Sequence, residues 1–112
     1  MVRMLACCLA FVAWALAWPA HASFHLFRID QVFSNADGSV QYVVMREVTG
    51  SNGESFWAGH RLETTSTSGA KQQFVFPSNL PSTSTANRSV LIATNGFAAL
   101  GLVAPDYIVP NG

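Results

Sequence analysis

From residue 24 onward, apolar positions come in short runs separated by turn residues. Turn signals recur about every 8–12 residues, the rhythm of a sandwich or barrel. No stretch sustains a helical period for more than a turn or two. Phe24–Phe33 alternates, which predicts a strand with Phe27, Ile29 and Phe33 on one face and Arg28 and Asp30 on the other. Asn35-Ala36-Asp37-Gly38 supplies the positive-φ residues of a hairpin turn. Val40–Val48 is the returning strand, and Thr49–Glu54 the next loop.

A third strand is predicted over Phe56–Thr65. Strict alternation there puts Phe56, Ala58, His60 and Leu62 on the core face, and Trp57, Arg61 and Glu63 on the opposite one. Ser66–Ala70 turns into Lys71–Phe76, which Pro77 ends. Pro81–Asn87 reads as a surface loop. Ser89–Thr94 is apolar enough to be a strand buried on both faces. Asn95-Gly96 turns the chain, Phe97–Leu100 fits one helical turn closed by Gly101, and Pro105–Val109 is a last extended piece. That strand runs into Pro110-Asn111-Gly112 with no partner after it, so the sequence suggests a fold that continues past Gly112.

The first 22 residues follow a different pattern. Arg3 precedes an uninterrupted apolar run of 15 residues, Met4–Trp18, which Pro19 terminates. Ala20-His21-Ala22 then sets small residues where a signal peptidase reads, predicting cleavage between Ala22 and Ser23. The run is shorter than the roughly 20 residues of a spanning helix. A lipoprotein anchor needs a cysteine after the run, and Cys7 and Cys8 lie inside it. The expected architecture is therefore a signal helix followed by one all-β domain over residues 23–112, secreted or periplasmic, with no membrane span after cleavage.

Cleavage changes the composition. Both cysteines leave with the signal peptide, so the domain has no disulfide and must rest on packing. Five basic side chains (Arg28, Arg46, Arg61, Lys71, Arg88) face six acidic ones, a net charge of −1. Without a basic patch, nucleic acid and anionic membrane are poor partners.

Candidate chemistry is sparse. His25 and His60 are the two imidazoles of the exported part, and two histidines with scattered carboxylates do not define a zinc site. Positions 60 and 63 of a strand face opposite sides, and His60 is expected to be a hydrogen-bonded core residue beside Phe56 and Leu62. Asn35–Gly38 lacks the spacing of a calcium loop, because Phe33 stands where the first acidic ligand belongs. Ser51, in Gly50-Ser51-Asn52-Gly53, has no nucleophile elbow around it. Asn87-Arg88-Ser89 matches a glycosylation acceptor, a tripeptide that recurs by chance. Trp57, beside Arg61 and Glu63, has two readings. One is an exposed aromatic on a carbohydrate- or protein-binding face; the other is a ring packed at a sheet edge or under a loop. No cofactor and no catalytic residue is indicated.

Glu47 at a strand end, then Gly59-His60-Arg61-Leu62, then Phe74-Val75-Phe76-Pro77 and Val90-Leu91-Ile92-Ala93-Thr94, together resemble the lamin-tail domain, an immunoglobulin-like β-sandwich. The chain also resembles a group of uncharacterised bacterial secreted proteins that begin with a Ser-Phe-His-Leu-Phe-Arg type strand. The resemblance covers roughly Phe24 to Thr94, with His60 standing where the lamin-tail pattern has Trp. It implies a non-enzymatic binding or accessory role, with an unidentified protein or carbohydrate as partner, and carries no catalytic residues. Alternatives in other classes are the N-terminal part of a larger secreted enzyme and a carbohydrate-binding adhesion module.

Overall fold

The computed structural model describes residues 25–112; the expected signal segment and the expected cleavage positions Ala20, Ala22 and Ser23 lie outside the described residues. Among the described residues six strands and one short helix follow one another: β1 (Phe27–Ser34), β2 (Gln41–Glu47), β3 (Arg61–Thr65), β4 (Lys71–Val75), β5 (Ser89–Thr94), α1 (Asn95–Ala99) and β6 (Tyr107–Val109). They make two sheets. One has four strands in the order β1-β2-β5-β6, and the other is the β3–β4 hairpin. The protein is thus mostly β, as the turn spacing predicts, in an arrangement compatible with an all-β sandwich.

The first hairpin forms where the sequence asks for it. Asn35 N–H donates to Val40 C=O, Gly38 takes a φ of 74°, and the Asp37 carboxylate accepts the Ser39 N–H and hydroxyl. Those bonds, the hydroxyl's first, hold the Asp37 carboxyl below its ordinary range. β2 and β5 pair antiparallel, whereas β5 and β6 pair parallel, so α1 and the loop after it form the crossover. Thr94 caps α1 by accepting from Phe97 N–H, and Gly101 (φ 68°) follows its end, as expected. Gly96 is required there. A Cβ would collide with the Ser39 carbonyl oxygen, because α1 lies directly against the chain entering β2. β5 is central and buried over Ile92–Thr94, in accord with its apolar run.

Two facing assignments need correction. In β1, the register places Phe27, Ile29 and Val32 opposite Glu47, Met45 and Val43, with a bulge at Asp30. The extra residue shifts the phase of the alternation, so Phe33 leaves the face of Phe27 and stacks on Tyr42 across the outer side. The second concerns Phe56–Thr65, of which only Arg61–Thr65 is a strand. Residues 55–60 turn, with Trp57 N–H donating to Ser55 C=O, His60 N–H to Trp57 C=O, and Gly59 at φ 83°. Period-two facing does not apply across a turn. Trp57 is therefore fully buried, while Phe56 and His60 are exposed; the core position expected for His60 is not the one it occupies.

The core is an aromatic cluster around Trp57. Phe27 and Phe76 meet its ring edge-to-face at centroid separations of 5.0 and 4.8 Å, and Tyr107 stacks at 5.6 Å. Val90 and Ile92 join from β5; Val43, Met45, Leu62, Phe74, Leu80 and Val109 pack around them. Burial leaves two polar handles, both satisfied: Trp57 Nε1–H donates to Glu54 C=O at 3.0 Å and Tyr107 O–H to Ser78 C=O at 2.7 Å.

Candidate binding cleft

Two carboxylates shape the loops beside the core. Glu47, fully buried at the end of β2, accepts N–H bonds from Thr49, Gly50, Ser51 and Asn87 and the Thr49 hydroxyl bond. Burial raises its carboxyl pKa, but the Thr49 hydroxyl and the N–H groups of Asn87, Thr49 and Gly50 outweigh this and bring it down to about 2. Glu54 receives the N–H groups of His25 and Leu26, and the exposed His25 ring lies 3.6 Å from its other oxygen. Thr85, buried in the Pro81–Asn87 loop, accepts Glu54 N–H and donates to Ser51 C=O. These groups tie loop to loop. Apart from Glu54 Oε1, which faces the His25 ring, every carboxylate oxygen and hydroxyl in the set is engaged with backbone or a neighbouring hydroxyl, which is the chemistry of a structural clasp.

At the opposite end, the two sheets enclose a cleft of about 620 Å³. Its cause lies in the hairpin. Near the turn-distal end, Leu62 and Phe74 meet the core, whereas Thr64 and Gln72, further out on the same face by register, are too polar to close the gap. Val32, Val43, Ile92 and Val109 form the opposing wall, and Ser34, Gln41, Gln73 and Asn111 lie around it. Among the described residues, no charged side chain lines the space. An uncharged wall of methyl and aromatic groups with amides and hydroxyls at its edge suits a neutral, partly apolar ligand.

The residues singled out from the sequence do not gather here. Trp57 is inside the core, so it offers no exposed ring; this corrects the reading of Trp57 as a binding surface. It also separates Trp57 from Arg61 and Glu63, which sit on the exposed outer side of the hairpin. There Glu63 accepts from Gln73 Nε2 at 2.7 Å and lies 3.6 Å from Lys71 Nζ. His25 and His60 belong to separate loops, and among the described residues no three His, Cys, Asp or Glu side chains come together as a metal site. The cleft's own residues, Val32, Gln41, Thr64, Gln72 and Phe74, carry a weak signal in the sequence. Thr64-Thr65 and Gln72-Gln73 flank the Ser66–Ala70 turn as uncharged polar pairs on a strand that is apolar only at its base.

Compared with protein-family models, with curated proteins and with solved structures, the chain finds no match.

Proposed function

We propose that the chain is an exported, non-catalytic binding module with an immunoglobulin-like, lamin-tail-like sandwich, and that the cleft between its sheets holds the ligand. The observation that carries this reading is the cleft itself: about 620 Å³ of space with no charged side chain among the described residues that line it. Volumes of ~300–1,000 Å³ lined by apolar groups with a few polar ones are typical of small-ligand sites. Glu47, the most buried carboxylate, is wholly engaged by the loop clasp, and Glu54 gives one oxygen to backbone N–H groups and turns the other to the His25 ring, away from the cleft lining. A carbohydrate platform around Trp57 has no ring to present.

The test is uptake of a neutral solvatochromic dye, Nile red, by the purified chain. Saturable fluorescence enhancement is expected, and Thr64→Trp, which fills the cleft from an exposed position, should abolish it without lowering the melting temperature. Enhancement that survives Thr64→Trp would place the dye elsewhere and refute the cleft as the site.

A further inference from the structure

We infer that the cleft's natural occupant is an extended, uncharged polypeptide segment, which adds to the four-stranded sheet along Gln31–Ser34 of β1 and turns alternate side chains into the cleft. This rests on the cleft being the binding site and names what enters it.

Three observations converge on that stretch. First, β1 is an outer strand of its sheet, with β2 on one side and no strand on the other among the described residues. An outer strand presents main-chain donors and acceptors in a row, which only another extended backbone matches. Second, the strand is unequal along its length. Its first half carries Arg28, Asp30 and the bulge at Asp30, the devices that discourage edge pairing, whereas Gln31–Ser34 is regular in register and uncharged. Third, that half carries apolar groups in the open. Val32 is 68% and Phe33 45% exposed, and Val32, Phe33 and Ser34 all border the cleft. A strand laid beside them would cover Val32 and project every second side chain toward Phe74 and Leu62. The uncharged side chains of the described lining select a segment that is uncharged at those positions, since a charge buried there would meet no side-chain counter-ion among them.

The probe is a capped heptapeptide alternating threonine and valine, titrated into the isotopically labelled chain. Two further peptides of the same sequence are N-methylated, one on the threonine amides and one on the valine amides. Methylation removes the donors of one edge of the strand while leaving its side chains in place. The parent peptide should shift the amide resonances of Gln31–Ser34, slow their hydrogen exchange and displace Nile red. Only one of the methylated peptides should bind more weakly, by at least about tenfold. Val32→Lys, at an exposed position, should weaken the parent peptide to a similar degree while the chain keeps its melting temperature. Equal affinities for all three peptides, or equal weakening of both methylated ones, would overturn strand addition. A chain that takes up Nile red in the cleft but not the peptide overturns this inference and leaves the cleft reading standing. A chain that takes up neither overturns both. Pairing of β1 with a second copy instead would appear as a dimer that the peptide does not dissociate, and that also contradicts the inference.

Discussion

Trp57 Nε1–H donates to the carbonyl oxygen of Glu54, three residues earlier, so the loop before β3 supplies both the ring at the centre of the core and its polar partner. Glu54 in turn holds the N–H groups of His25 and Leu26, just ahead of β1. One short loop therefore fixes the start of the sheet and the middle of the core, in a domain with no cysteine after residue 8.

Trp57→Ala should cost about 3–5 kcal/mol, the range for deleting a large buried ring. Trp57→Phe retains most of the packing but leaves Glu54 C=O without its donor, and should cost about 1–3 kcal/mol. Urea unfolding with unchanged m-values is the measurement. A loss below about 1 kcal/mol for Trp57→Ala would mean the ring is not central to the core.

Glu47 gives the fold a defined acid limit. Its carboxyl is lowered from 4.5 to about 2 in the folded chain, so its contribution is fully present above the unfolded value near 4.5. That contribution is lost as pH falls from there toward about 2, because the proton binds the unfolded chain more tightly. Stability measured by denaturation across this window should drop, and Glu47→Gln should both destabilise the protein at neutral pH and flatten the drop. An unchanged acid limb in Glu47→Gln would assign the pH dependence to other carboxylates.

His60 lies on the exposed side of the turn at residues 57–60. His60→Trp and His60→Asp should therefore change stability by similar small amounts, about 1 kcal/mol or less. Thermal melts in which the Asp variant alone collapses would return His60 to the interior.

Gly96→Ala should cost more than about 1 kcal/mol, since the added methyl meets backbone, the Ser39 carbonyl, rather than a side chain free to move. The loss should appear first as faster hydrogen exchange in α1 and at the start of β2. A fully stable Gly96→Ala variant would show that α1 can move off β2.

The secretory reading has its own check. Sequencing the N-terminus of the exported protein should find Ser23, since Ala20 and Ala22 occupy the small-residue positions before it. A protein that retains Met1 would contradict export by a cleaved leader.

Strand existence was legible wherever residue type and turn chemistry agreed. Val43, Val44 and the Asp37-Gly38 turn specify the first hairpin, and Val90–Ala93 specifies a strand covered on both sides. Facing was less legible, for two physical reasons. A bulge such as that at Asp30 changes the phase without leaving a residue type to mark it, which is why Phe33 lies on the outer face. A turn such as residues 55–60 can carry an alternating pattern by chance, and burial of the largest ring then decides orientation, inverting Phe56 and Trp57. The Glu47 clasp shows in the sequence only as an acidic strand end, because its donors come from loops 2–4 and 40 residues away. The cleft left only the weak trace of the uncharged pairs Thr64-Thr65 and Gln72-Gln73, since it arises from a gap between sheets that Thr64 and Gln72 fail to close.

The most direct test of the cleft is where a neutral ligand binds. In a two-dimensional amide titration of the labelled chain with Nile red, saturable shifts are expected, centred on Val43, Leu62, Thr64, Phe74 and Val109, which the cleft brings together from both sheets. Shifts centred instead on the exposed Leu100, Leu102 and Val103 of the crossover loop, or spread without saturation, would contradict it.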